Sequence, residues 1–487
     1  MKKGFLSIIL TLTVLLVFQA VPVFGTETGA LPSGLTYQCA ETAAAKDSSG
    51  SAPAATAEDT PQTVCTSDIL IDAKSGEVLY AKNENAKLRP ASMTKMMTCL
   101  LAIEHYKDLD REVTVTKEAV GVGGNGMDLK EGEVLTVRQL LYALMLHSCN
   151  DAAVCIAVDC SGSVPAFCDE MNARAKEIGA DDTHFINPNG LTESAEHITT
   201  ASDMAKIARE CMRNRTFRKI VRTKKYVIPA TNMSPRRVMK TTNRLLSGSS
   251  FKVSVNGQTR SAQYDGAEGI KTGLMPGAKY CFCGAAKRGG VELITVTMHG
   301  AADQDRFADT ISMLDYGFAN YHTVTLYKEG EQCGHVWVKG GHRTRVAVNA
   351  KDGAFATLTA SESDDLAETK VTLKKNLKAP LKKGDTVGTI SIYKDGKKTG
   401  TAPVVLSEDV TEGGPWTQLY ISDPMFILIV IVLALLIILR LTVIKRRRRR
   451  RAELAEKRRK DREKKAMEIA LQRRKERERR DERDWPF

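Results

Sequence analysis

The chain has 487 residues and a formal net charge of +13, with 43% hydrophobic and 26% charged residues, so it is too long and too uneven for one average domain. Residues 445–487 hold 21 Lys and Arg against 10 Asp and Glu, or +11, which leaves +2 for residues 1–444. The body of the chain is therefore close to neutral, and bulk charge gives no basic groove for nucleic acid, so no nucleic-acid partner is expected.

Residues 1–25 follow the plan of a secretory signal peptide. Lys2 and Lys3 precede an apolar run from Phe5 to Phe18, and small residues follow. An uncleaved amino-terminal anchor is the alternative. Residues 26–63 are rich in Ala, Ser, Thr, Gly and Pro and have too few large apolar side chains to order a backbone, which predicts a disordered linker. The next segment, 64–320, reads as a catalytic domain. Ile69-Leu70-Ile71-Asp72, the Lys74-Ser75-Gly76 turn and Val78-Leu79-Tyr80 predict a hairpin, and helical periodicity then dominates to about residue 215. A second hairpin is expected from residues 280–286 and 291–298 across Arg288-Gly289-Gly290, with a helix over 303–316 behind it. Together these predict an α/β (α+β) domain whose sheet is built from both ends, with flanking helices and a helical insertion. Short alternating runs over 321–410 predict a small all-β domain, followed by a linker over 411–424.

Residues 425–444 are almost continuously apolar and long enough to span a bilayer, with Arg440 near one end where it can snorkel. Lys445 and Arg446 to Arg451 follow immediately. The positive-inside rule then predicts a single-pass protein of the cell membrane, with the domains extracytoplasmic and the basic tail, 445–487, cytoplasmic. Attraction of that tail to anionic lipid is a plausible addition. The 11 cysteines are odd in number and show neither a disulfide framework nor pairs at ligand spacing, so no metal and no cofactor are expected.

Three short motifs carry the chemistry: Ser92-Met93-Thr94-Lys95, Ser148-Cys149-Asn150 and Lys271-Thr272-Gly273. Each alone is weak. In this order, with the first opening a helix, the second between helices and the third entering a strand, they match the set of penicillin-binding proteins and class A β-lactamases. Ser92 and Lys95, three residues apart on a helix, share a face, so a neutral Lys95 can take the serine proton. Lys271 supplies a charge that disfavours protonation of Lys95. Ser148 can relay a proton to a departing amine, and Asn150 offers an amide to the substrate backbone. Thr272 and Gly273 lie on a strand whose edge can pair with an extended peptide. His147 reads as a loop histidine.

The stretches Ile69 to Gly76, Pro90 to Thr98, Asn187-Pro188-Asn189-Gly190-Leu191, Thr242 to Leu246, Gly269 to Gly273 and Ala379 to Asp385 closely resemble D-alanyl-D-alanine carboxypeptidases of the DacA type. These are serine peptidases of the low-molecular-mass penicillin-binding class, with a β-lactamase/transpeptidase-like fold. The resemblance covers roughly residues 66–406. It implies acylation of Ser92 by a peptidoglycan stem pentapeptide ending in D-Ala-D-Ala, release of D-alanine, hydrolysis of the acyl-enzyme, and binding of β-lactams. It further implies an oxyanion hole from the N–H groups of Ser92 and Leu274, and a carboxylate site of Lys271, Thr272 and Arg306, although Arg306 reads equally as a surface helix residue. After Gly273 the chain departs from the usual pattern with Leu274-Met275-Pro276-Gly277. A β-lactamase, a D,D-endopeptidase and a catalytically silent wall-binding protein stand as alternatives.

Overall fold

A computed structural model describes residues 60–481, so the expected signal peptide and nearly all of the expected linker lie outside the described residues. The catalytic sheet begins with β1 (Ser67–Asp72) and β2 (Val78–Lys82). Asp72 Oδ1 accepts the N–H groups of Lys74 and Ser75 in the turn between them, and Gly76 completes it at φ +81°. Every residue of β1 is buried. Ile69 and Ile71 face one core while Leu70 faces another, as the two-residue period of a strand demands.

The chain then leaves the sheet for the helical insertion. This contains α1 (Lys95–His105), α2 (Asn150–Ser161) and α3 (Ala201–Arg213). It returns with β3 (Ala267–Met275), β4 (Lys279–Arg288), β5 (Val291–Gly300) and α4 (Asp303–Asn320). The sheet order is β2-β1-β5-β4-β3. Gly289 and Gly290 both have positive φ in the two-residue β4–β5 turn, a conformation that matches strand twist and favours glycine. Helices of the insertion cover one face of the sheet. Phe307, Ile311 and Leu314 of α4 pack on Leu70, Phe282 and Leu293 from the other. The result is helix, sheet and helix in three layers, with β3 left at an edge.

Residues 321–406 form the expected small β domain around Val336, Val338, Val348, Ile390 and Val404. It meets the catalytic domain through Thr323 Oγ1 on Asp72 Oδ2 and through Ser75 Oγ against Thr357 Oγ1. The segment expected as a linker over 411–424 is instead fastened to this domain. Gly340 N–H reaches Thr417 O, Thr344 Oγ1 reaches Tyr420 O, and the Asp423 N–H reaches His342 O. One helix, α5 (Asp423–Asp481), then runs without a break from the apolar stretch into the basic tail. Its apolar part is long enough to cross a membrane and is not covered by the rest of the chain.

One buried ion pair fixes the hairpin that leads toward the site. Glu133 has no exposed surface and accepts from Arg237 Nη1 and Nη2 at 2.6 and 3.0 Å and from Thr231 Oγ1 at 2.6 Å. Arg237 begins strand Arg237–Lys240, which runs on to Thr242. Removing one partner strands a buried charge. Arg237→Met is expected to lower stability by about 3–5 kcal/mol, read from urea unfolding of the full chain.

Candidate active site

Ser92 lies in a 3-10 turn, Ala91–Thr94, that leads directly into α1. The expected helix therefore starts one turn later than the spacing suggested, yet Ser92 and Lys95 still share a face. Lys95 Nζ sits 2.9 Å from Ser92 Oγ, 2.7 Å from Asn150 Oδ1 and 2.7 Å from the carbonyl of Asn189. It has no exposed surface, whereas Ser92 is half-buried. Burial first, and then the charge of Lys271, hold the Lys95 amine well below the ordinary lysine range. A neutral amine has two hydrogens and one lone pair. Asn150 Oδ1 and Asn189 O take the hydrogens, so the lone pair faces the Ser92 hydroxyl.

The Ser92 turn is braced from below. Ala91 adopts φ +47°, a left-handed conformation that costs energy in a residue with a side chain. Thr94 Oγ1 donates to Ala91 O at 2.8 Å. His197 Nδ1 accepts from the Ile186 N–H, which leaves its Nε2 hydrogen for Thr94 Oγ1 at 2.9 Å. Burial, then His184, pushes His197 down to about 4, so it is neutral under ordinary conditions. Gly190, at φ +81°, has no room for a side chain, since a Cβ would lie 1.9 Å from Ala91 O.

Ser148 is buried at the end of a π turn, Ala143–His147, and has φ +62°. His147 beside it is exposed. Asn150 opens α2, and its Nδ2 donates to Gly123 O at 2.7 Å. Both ends of this amide are thus engaged within the protein. Cys149, between the two motif residues, is buried, and burial with Asp151 pushes its thiol up to about 12.

The third motif lies on edge strand β3. Lys271 is 1% exposed and its Nζ donates to Thr272 O at 3.0 Å. Burial, then the charge of Arg306, brings its amine down to about 7. Thr272 Oγ1 pairs with Thr242 Oγ1 at 2.7 Å. Gly273 passes so close to the Ser92 turn that a Cβ would meet Pro90 O at 2.9 Å. Leu274 is 57% exposed. Arg306, on α4, is buried rather than on the surface. Its Nη1 donates to Gly273 O at 2.8 Å and to Cys281 O at 3.0 Å, and its Nη2 pairs with Asp303. That geometry supports the strand from behind instead of presenting a free fork to substrate.

The fold thus brings together the Ser92 hydroxyl, the buried Lys95 amine and the Asn150 amide, beside an open strand edge. A family model described as D-alanyl-D-alanine carboxypeptidase matches residues 54–302, just over half of the chain. The chain belongs to the D-alanyl-D-alanine carboxypeptidase family. A second model, for the penicillin-binding protein 5 C-terminal domain, matches residues 321–412. The carboxypeptidase DacF of Bacillus subtilis is 33% identical over 352 residues, covering 72% of this chain and 86% of the relative. DacC of Escherichia coli is 31% identical over 356 residues, covering 71% and 84%. The structure of penicillin binding protein 5 from Haemophilus influenzae superposes with a TM-score of 0.55 at 27% identity, covering 73% of this chain and 99% of that one. The enzyme is a peptidase of the penicillin-binding class, and the lactamase, endopeptidase and silent readings give way to carboxypeptidase activity.

In this carboxypeptidase the residues that motif spacing left out are Asn189, His197 and Thr242. Asn189 and Thr242 lie in stretches that carried the family resemblance, which was the available signal for them. His197 had none.

The two buried lysines make stability depend on pH. The unfolded chain protonates these amines at their ordinary value of 10.5, while the folded chain keeps Lys271 neutral down to about 7. The unfolded state binds more protons in that window, so stability rises with pH and is lost as the pH falls toward 7. Lys271→Met is expected to flatten this rise by up to about 1.4 kcal/mol per pH unit, measured by urea unfolding of parent and variant between about pH 7.5 and 9.5.

Proposed function

We propose that the chain removes the terminal D-alanine from peptidoglycan stem pentapeptides through an acyl-enzyme on Ser92. The supporting observation is the Lys95 amine, whose hydrogens are taken by Asn150 Oδ1 and Asn189 O so that its lone pair faces Ser92 Oγ at 2.9 Å. Lys95 accepts the Ser92 proton as Oγ attacks the penultimate D-alanine carbonyl. The N–H groups of Ser92 and Leu274 hold the oxyanion. The proton passes by way of Ser148 to the departing amine, D-alanine leaves, and water then hydrolyses the ester to regenerate Ser92. The substrate strand lies along the open edge of β3 beside Thr272 and Gly273. In its protonated form Lys271 supports the base electrostatically and, with Thr272, receives the terminal carboxylate, while Arg306 keeps the Gly273 carbonyl in place. A β-lactam presents its strained carbonyl to the same Ser92.

We further propose that the two folded domains lie outside the membrane and that residues 445–487 lie in the cytoplasm near anionic lipid; the signal-like sequence of residues 1–25 and the apolar run 425–444 with the basic residues after it support this reading.

Three measurements test these readings. Ser92→Ala is expected to abolish both D-alanine release from a pentapeptide and the penicillin adduct seen by intact mass. D-alanine release by that variant would end the proposal. Asn150→Asp puts a carboxylate against the Lys95 amine and raises its pKa, so acylation at neutral pH should fall by about 10²–10⁴-fold and recover in part as the pH rises. In intact cells, protease added outside is expected to remove the penicillin-binding domain and leave a carboxy-terminal tag protected.

A further inference from the structure

A second cluster of reactive side chains lies where the chain joins the catalytic domain, and the peptidase chemistry makes no use of it. Cys65 just precedes β1, Asp68 is in β1, and Asp309 is in α4. One ligand atom from each lies within 4.8 Å of the others. Cys65 and Asp68 have no exposed surface, and Asp309 is 2% exposed. Asp309 Oδ2 accepts the N–H groups of Val64 and Cys65 at 2.9 and 2.7 Å, which holds the carboxylate aimed at this spot. Asp68 is different, because neither of its buried oxygens has a hydrogen-bond partner. Lys82 Nζ stands 3.8 Å away and donates instead to the carbonyls of Thr63 and Cys65, at 2.8 and 2.7 Å. The Thr63 hydroxyl is paired with that of Tyr80 at 3.0 Å. Asp68 thus has no hydrogen bond to either oxygen and only this long ion pair with Lys82, and a buried carboxylate so weakly met is disfavoured.

We propose that Cys65, Asp68 and Asp309 form a buried divalent-metal site, suited by its donors to zinc, that clamps the start of the catalytic domain to α4. Thiolate sulfur and carboxylate oxygen are both zinc ligands, and zinc accepts them in mixed sets. The charges also close. A thiolate and two carboxylates balance a divalent ion together with the Lys82 ammonium, and the thiol proton leaves to solvent on binding. The sequence search for cysteine pairs at ligand spacing had no means of finding this site, since its ligands come from opposite ends of the domain and include only one cysteine.

Full-length protein in detergent, kept reduced and stripped with EDTA, tests the site by titration with Zn²⁺ and separately with Co²⁺. The parent is expected to bind zinc with a rise in Tm, and to give a near-ultraviolet thiolate-to-cobalt charge-transfer band that Cys65→Ser abolishes. Asp68→Asn keeps the shape while removing the buried charge, so it folds. It is expected to weaken zinc at least about tenfold, because even outer-shell partners of bound metals carry roughly 10- to 100-fold. Penicillin acylation of Ser92 persists in both variants. A parent without the cobalt band, or zinc binding unchanged in both variants, overturns the site and leaves a proton shared by the two carboxylates as the occupant.

Discussion

Lys95 places an amine where a charge is poorly solvated, and much of the catalytic domain is arranged around that nitrogen. Its three neighbours come from separate places: Ser92 from the turn before α1, Asn150 from the first residue of α2, and Asn189 from a loop between helices. Each contact has its own support. The Ser92 turn rests on Thr94 and His197, Asn150 is held by Gly123, and Gly190 lets the loop close on Ala91 without a side chain between them. Lys271 and Arg306 extend the same theme toward the sheet, each depressing the basicity of the next residue inward.

The features legible in the sequence are those whose geometry is local. Ser92 and Lys95 meet because one helical turn separates them, and this survives the replacement of helix by a 3-10 turn at Ser92. The two hairpins of the sheet were legible from alternation and from turn residues such as Gly289-Gly290. Contacts made by backbone or set by the register of packing were not legible. The Asn189 carbonyl bears on Lys95 through an atom that every residue has. Arg306 is buried because α4 presents that side to β3, and helical periodicity alone did not separate this from exposure. Residues 411–424 looked like a linker by composition. They are ordered because Thr417, Tyr420 and Asp423 find backbone and side-chain partners in the β domain.

The join between the β domain and α5 is correspondingly tight. Trp416 stacks on Phe426, with ring centroids 3.8 Å apart, and the Asp423 N–H reaches His342 O. The head of the apolar helix is thus fixed to a folded domain by stacking and hydrogen bonds. A continuous set of contacts thus joins the helix to the β domain and, through Thr323 and Ser75, to the catalytic sheet.

The edge position of β3 has a further consequence, for the solution behaviour of the protein. A strand left unpaired for a peptide is equally a template for another copy of the chain, and proteins commonly blunt such edges. Here the Ser92 turn lies against the strand, with Pro90 and Ala91 pressed on Gly273. A second copy of the chain that paired with this edge would have to fit beside the Ser92 turn, which stands within a methyl group's reach of the strand.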